Sequence, residues 1–270
     1  MKTQTCLLAF ATAFVTAATL PGAAMAQAEP VPAEAPAEPL PAPPKPELFG
    51  TGIMAGWDRS VEVGFNGSEG NTETLSLKAA FNAGYEDERD RWKLVTTYWR
   101  SGDDGDVSKN EFKALVIKDW LIPASEWFYF AFGQYEYDQF QAWEHRVSSF
   151  GGVGYEFDMR DDWDLRGRVG LGGNYEFGEV NEFTPEAFLG VETTYRINDR
   201  QSISFSNTYF PNLDELSEFR NVTGVAWVVD IADDRHLKLK LGIDNEYESQ
   251  VEAGFERNDL KYYGALLYDF

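Results

Sequence analysis

The chain of 270 residues holds one cysteine, Cys6, and only two histidines, His145 and His236. Cys6 lies in a leader-like N-terminal stretch and lacks the Leu-Ala-Gly context of a lipid-attachment cysteine, so an exported mature chain would contain none. That excludes disulfides, Cys-ligated metals and a Cys nucleophile, and it suits an exported fold held by hydrogen bonds. No segment approaches the roughly 20 apolar residues of a transmembrane helix, and apolar residues at helical spacing are almost missing. Proline is scarce beyond residue 47, where only Pro123, Pro185 and Pro211 remain. Positive charge is also short: 23 Lys and Arg face 45 Asp and Glu, a net charge of −22, which becomes −23 once Lys2 leaves with the leader. Such an acidic balance argues against nucleic acid or anionic lipid as charge partners and favours cationic ones.

Residues 1–26 read as a secretory signal peptide, with Lys2 near the start, an apolar stretch from Cys6 to Leu20, and Ala24-Met25-Ala26 before Gln27. Residues 27–47, QAEPVPAEAPAEPLPAPPKPE, carry eight of the twelve prolines and predict a disordered periplasmic tether. At about 3.1 Å per residue it reaches at most roughly 65 Å. That length suits a spacer toward peptidoglycan or a periplasmic partner, although a solvated leader is the simpler interpretation. Residues 48–270 are left for the folded body.

That body breaks into twelve runs of period-two alternation, at residues 56–66, 72–85, 91–101, 108–121, 126–138, 142–157, 163–177, 183–197, 201–211, 217–230, 236–248 and 258–270. The pattern predicts an all-β fold, a twelve-stranded antiparallel up-and-down transmembrane barrel, with about ten to fourteen strands compatible with the boundaries. An even count puts both ends on one side, which the leader and tether make the periplasm. The connections there, residues 86–90, 122–125, 158–162, 198–200 and 232–235, are short polar turns, as bacterial barrels have on that rim. Opposite connections vary more, the longest being 248–258. Trp57, Trp92, Trp120, Trp127, Trp163 and Trp227 fall at predicted periplasmic strand ends, and only Trp99 and Trp143 at the other. This predicts a girdle at the membrane interface, whereas a soluble sandwich would draw tryptophan to strand centres.

The chain ends on an alternating strand with Tyr262, Leu266, Tyr268 and Phe270 on one face. A strand with one face in lipid is apolar at every second residue, and in the Gram-negative outer membrane an aromatic end is the signal read by the barrel-insertion machinery. A half-buried strand closing a soluble sheet is the competing interpretation. Outer-membrane lipid and lipopolysaccharide would surround the body.

Val61-Glu62-Val63-Gly64-Phe65 leading into Gly70-Asn71-Thr72, the repeated strand, Asp/Arg turn and strand units, and the aromatic Phe270 resemble the Gram-negative family of salt-induced outer membrane proteins, a domain of unknown function. The resemblance covers about residues 50–270. It implies a barrel in the outer membrane and, through the family name, a link to salt or osmotic stress. Its motifs are structural, so it implies no activity, cofactor or site residue.

Alternation indicates what faces inward. In the seventh run Leu165, Val169, Leu171, Tyr175 and Phe177 are expected on lipid, with Asp164, Arg166, Arg168, Asn174 and Glu176 in the lumen. The eleventh places Leu237, Leu239, Leu241 and Ile243 outward and Lys238, Lys240, Asp244 and Glu246 inward. The first adds Asp58, Ser60 and Glu62 to the lining, and the ninth Ser202, Ser204, Ser206 and Thr208. The fourth and fifth runs leave the faces open, because Phe128, Phe130 and Phe132 compete with Trp127, Tyr129 and Ala131 for the lipid face. A lumen with both signs of charge is either packed shut by ion pairs or a narrow selective pore, and twelve strands lie between filled and open barrels.

Chemistry-bearing motifs are few. His145, near Glu144, Ser148 and Ser149, is the one arrangement that invites a Ser-His reading, but it forms no recognisable catalytic motif, and the chain reads as non-enzymatic. Asp103, Asp104 and Asp106 around Gly105 form a weak candidate for a hard cation, short of a calcium loop and more simply a solvated turn. Gly151-Gly152-Val153-Gly154 and Gly170-Leu171-Gly172-Gly173 lie mid-strand, where glycine permits curvature and close approach rather than phosphate binding.

Overall fold

The computed structural model describes residues 54, 56–68, 74–103, 106–178, 181–232, 236–251 and 256–270. The expected leader and tether, residues 1–47, lie outside the described residues, as do Gly70-Asn71-Thr72, Asp104 and the Asp103 side chain. Twelve strands are present: β1 (Asp58–Ser68), β2 (Thr74–Glu86), β3 (Asp90–Asp103), β4 (Asp106–Leu121), β5 (Trp127–Asp138), β6 (His145–Phe157), β7 (Trp163–Phe177), β8 (Glu182–Asn198), β9 (Gln201–Pro211), β10 (Phe219–Asp230), β11 (Leu237–Glu248) and β12 (Asn258–Asp269). Every boundary lies within three residues of the one read from the alternation. Each strand pairs antiparallel with its chain neighbours, and β12 returns to β1 to close the barrel.

The period of two decides what is buried. Outward positions such as Phe65, Tyr129, Val169, Leu171, Ile243, Tyr262 and Leu266 are exposed, while inward Glu62, Asp119, Glu136 and Arg146 are buried to 2% or less. This inverts a water-soluble globule, which rarely exposes so much contiguous apolar surface. The barrel has a near rim, bearing Asp58, Asp269 and the short turns, and a far rim bearing the longer connections. In the near-rim turn after β2, the Asp87 carboxylate accepts the N–H groups of Arg89 and Asp90, each at 2.8 Å, and the Tyr85 hydroxyl at 2.7 Å. Those bonds, the Arg89 amide foremost, hold it below the usual carboxylate range. Pro123 lies in the turn after β4 and Pro211 ends β9, while Pro185 falls inside β8, ahead of Leu189 where the β8–β9 ladder begins.

The structure settles the competing faces of β5. Phe128, Phe130 and Phe132 point inward and are buried, and Trp127 and Tyr129 point outward. With Ile117, Phe150, Phe188 and Phe210 they form an apolar cluster inside the barrel, Leu115, Leu121 and Val222 packing against it. Ring centroids lie 5.2 Å apart for Phe130 and Phe188, 5.7 Å for Phe132 and Phe150, and 5.1 Å for Phe150 and Phe210. The glycines of β6 and β7 make room for these rings. A Cβ on Gly154 would stand 2.2 Å from the Phe128 ring, and one on Gly152 or Gly170 2.9 Å from Phe130.

A branched side chain in that space has no low-energy escape. Gly154→Val should lower the stability of the refolded barrel by about 1–3 kcal/mol, read as a shift in urea midpoint. Gly167→Ala, whose Cβ meets Phe157 at an ordinary 3.5 Å, should leave it within error.

Candidate functional site

Alternation places the inward residues of all twelve strands in one lumen, and closure brings together charges distant in the chain. Toward the far rim, Lys113 on β4 lies 2.7 Å from Glu136 on β5, 2.7 Å from Glu246 on β11 and 3.6 Å from Glu111. Arg146 on β6 donates to Glu176 and Glu248 at 2.8 Å each and lies 3.4 Å from Glu246. Arg220 on β10 stands 3.8 Å from Glu186 and 3.7 Å from Glu246. Lys261 on β12 reaches Glu111 at 2.7 Å and Asp259 at 3.0 Å.

A second network lies toward the near rim. Arg168 on β7 donates to Asp119 at 2.8 Å and to Glu192 at 3.2 Å, and Lys93 pairs with the same Glu192. Arg91 links Glu86, at 2.7 Å, to Glu156, at 2.8 Å. Across the barrel Lys240 donates to Glu62 at 2.7 Å, Asn82 donates to it at 3.0 Å, and Lys78 stands 3.5 Å away. Buried charge is tolerated only when paired, and each arginine here meets at least two carboxylates or a carboxylate and a ring.

Between the two networks the phenyl cluster covers the β5 to β9 side of the lumen. The wall opposite is built of small and hydroxyl residues on the inward register, among them Ala80, Thr97, Gly224, Ala226 and Gly242. A cavity of about 190 Å³ lies against the rings. Its lining includes Lys113 and Arg220 of the far network, Lys93, Arg168 and Glu192 of the near one, and Gln134, Ser206 and Thr208 between them. Four cationic side chains therefore meet one carboxylate on its wall, although the whole chain is strongly acidic.

The sequence-derived lumen candidates fall as follows. Glu62, Arg166, Arg168, Glu176, Lys238, Lys240 and Glu246 are in the networks, Arg166 with Glu156 at 3.2 Å and Lys238 with Asp269 at 2.7 Å. Asp244 shares the inward register, opposite Lys261 and Gly224. Asp164 pairs with Arg196 at 2.6 Å, half-exposed, and Asp58 is exposed at the near rim. Sequence reading missed Lys78, Glu111, Lys113, Asp119, Glu136, Arg146, Glu186 and Arg220. The signal was present in the fourth run, where Lys109, Glu111 and Lys113 alternate with Asn110, Phe112 and Ala114.

Of the girdle candidates, Trp120, Trp127, Trp163 and Trp227 are exposed near the near rim, while the Trp57 ring lies tilted against Tyr85 and Trp92, centroids 5.8 and 6.5 Å apart. Trp99, expected at the outer interface, instead faces the lumen, buried with its ring edge-on to Tyr263 at 5.5 Å, because its register follows Lys78 and Glu111. Tyr262 and Leu266 are exposed outward, but Phe270 is buried to 1% under the Arg59 guanidinium, 5.0 Å from the ring, with its N–H bonded to the Arg59 carbonyl. Lipid contact at the terminal ring, expected from alternation, is thus replaced by a cation–π cover. His145 and Ser148 have opposite register on β6, and Ser149 on the His145 face lies roughly 13 Å along the strand; His145 Nδ1 instead meets the Tyr135 hydroxyl at 2.8 Å. Asp106 is exposed at the start of β4.

A closed twelve-stranded antiparallel barrel, apolar outside and ion-paired around a constricted lumen, defines the class of this protein. Residues 61–270 match the family model described as "Protein of unknown function, DUF481", and the chain belongs to that family. No curated protein matches the sequence. Solved structures similar to it include the NanC porin, at 11% identity and a TM-score of 0.48 over 78% of this chain and 98% of that one. Another is the COG4313 outer membrane channel from Pseudomonas putida F1, at 10% identity and 0.47 over 79% and 95%. A third is the outer membrane channel DcaP of Acinetobacter baumannii, at 7% identity and 0.36 over 80% and 96%.

Lys113 is the hub of the far network, and Lys113→Met leaves buried Glu136 with Arg146 alone, at 3.8 Å, while Glu111 keeps Lys261 and Glu246 keeps Arg146 and Arg220. Stability should fall by about 3–5 kcal/mol in urea unfolding, and adding Glu136→Gln should regain part of that loss.

Proposed function

We propose that this protein is a non-enzymatic barrel of the Gram-negative outer membrane whose constricted lumen passes small ions or solutes, with a preference for anions at its narrowest part. The observation that carries the reading is the cavity beside the phenyl cluster, because its wall contains members of both charge networks and so lies where a path between the two halves of the lumen would run. The exposed apolar exterior supports a membrane setting, where strands span only as a closed ladder. In this reading residues 1–26 are a cleaved signal peptide, residues 27–47 a tether on the periplasmic side toward peptidoglycan or a protein partner, and the near rim faces the periplasm. Lipopolysaccharide and outer-membrane lipid surround the outward face, the insertion machinery engages the terminal strand at Tyr262, Leu266, Tyr268 and Phe270, and transport responds to salt or osmotic stress.

Single-channel recording of the refolded, heat-modifiable protein tests it. Small conductance steps are expected, and Phe132→Ala with Phe188→Ala should enlarge them severalfold by opening the layer next to the cavity. Lys93 is half-exposed in the lumen, so Lys93→Glu should move the reversal potential toward cation selectivity. A wild type silent at every voltage, with the double alanine variant equally silent, would leave a closed barrel with a role in envelope integrity. The localisation has its own check: recovery in the soluble periplasmic fraction would overturn it, and Phe270→Lys should lower outer-membrane levels.

A further inference from the structure

The seam that closes the barrel is zipped over part of its length only. β1 pairs with β12 through five residues, from Ser60 opposite Asp269 to Gly64 opposite Ala265, while β1 pairs with β2 as far as Ser68 and β12 with β11 as far as Asn258. Toward the far rim, among the described residues, Phe65–Ser68 and Asn258–Gly264 therefore have a strand on one side only at this seam. In a hydrocarbon setting an open edge needs something that shields it.

A cavity of about 190 Å³ occupies that gap. Its wall mixes residues of both faces: Lys78, Trp99, Ser101, Lys109, Lys261 and Tyr263 from the lumen, and Phe65, Leu260 and Tyr262 from the exterior. It holds three lysines and no carboxylate, since Glu62, Glu111 and Asp259, which pair with those lysines, lie outside the wall. Lys78 is the least satisfied: its one carboxylate is 3.5 Å away and its ammonium rests 3.2 Å from the centre of the Tyr263 ring. Outside, Phe65, Tyr262 and Gly264 continue into an apolar groove with Val225, Trp227, Leu241 and Ile243.

We infer that this gap is a lateral portal between lumen and membrane, binding a single-chain amphiphile with an anionic carboxylate or phosphate head on Lys78, Lys109 and Lys261 and its acyl tail in the groove. The inference rests on the membrane reading above. Glu62 keeps Lys240 and Asn82 when Lys78 is removed, so Lys78→Met should still fold. Gly264 has room for a side chain, its nearest neighbour being Leu241 at 3.4 Å, and Gly264→Trp would fill the groove.

Native mass spectrometry of the micelle-released barrel, titrated separately with palmitate, lysophosphatidate and uncharged hexadecanol, tests the portal. Loss of one charge-assisted bond should weaken both anionic probes about tenfold or more in Lys78→Met and leave hexadecanol unchanged, while Gly264→Trp weakens all three. Tighter palmitate assigns free fatty acid as the ligand, and tighter lysophosphatidate a lipid headgroup; either supports the portal. Anionic probes that bind both variants as they bind the wild type would overturn it while the barrel stays heat-modifiable. A wild type that is not heat-modifiable would instead remove the membrane reading.

Discussion

The structure depends on one constraint, that the backbone N–H and C=O groups along the wall find partners in the adjacent strand, as they do except at places such as the far end of the β1–β12 seam and the β8–β9 end. A single amphipathic β-strand cannot meet it, and an open sheet leaves two edges, so closure of β12 on β1 is what allows an apolar exterior at all. Closure then fixes the interior. Because alternate residues face inward, twelve strands deliver their polar side chains into one narrow space, where buried charges are obliged to pair.

Two kinds of packing share that space. Ion pairs fill the ends of the lumen, because charges there recruit partners from several strands, Lys113 from β4, β5 and β11 and Arg168 from β4 and β8. The middle, on the β5 to β9 side, is filled by phenyl rings, for which dispersion and edge-on ring contacts substitute for charge pairing. Glycine on the neighbouring strands makes this compatible with a barrel of fixed girth, since a ring from β5 occupies the volume that side chains of β6 and β7 would need. The outcome is a lumen narrowed by its own wall, with a cavity of mixed lining left beside the rings.

Strand number, boundaries and topology were legible because a period of two repeated through short polar turns admits few other folds. So were the inward sets of β7 and β11, where charged residues such as Arg166, Arg168, Lys238 and Lys240 alternate with aliphatic or glycine positions. The face of β5 was not, because Trp127, Tyr129 and the three phenylalanines are apolar alike, and what separates them is the register with Ile117 and Asp119 across the β4–β5 ladder. The ion pairs were also out of reach: Lys113 meets Glu246 at a separation of 133 residues and Lys109 meets Asp259 at 150, contacts that exist only after closure. Trp99 was misplaced for a related reason, since its height on β3 matches an interface and only its parity sends it inward. The partly zipped seam left no trace in the alternation, which runs unbroken through Phe65 and Tyr262.

Because the phenyl constriction is made of wall residues, it has no hinge and no body that can be withdrawn, unlike a folded-in loop. Any widening must come from rotation of individual χ angles or from small changes in barrel cross-section. The first of these proceeds in nanoseconds or faster where packing allows, and the second on the slower timescale of strand breathing. If the barrel conducts as proposed, the electrical signature of such a constriction is excess noise around a mean level, with few discrete closures. Its bore can also be reset one ring at a time by point substitution, so related barrels could diverge in the size of what they admit while keeping the same girth.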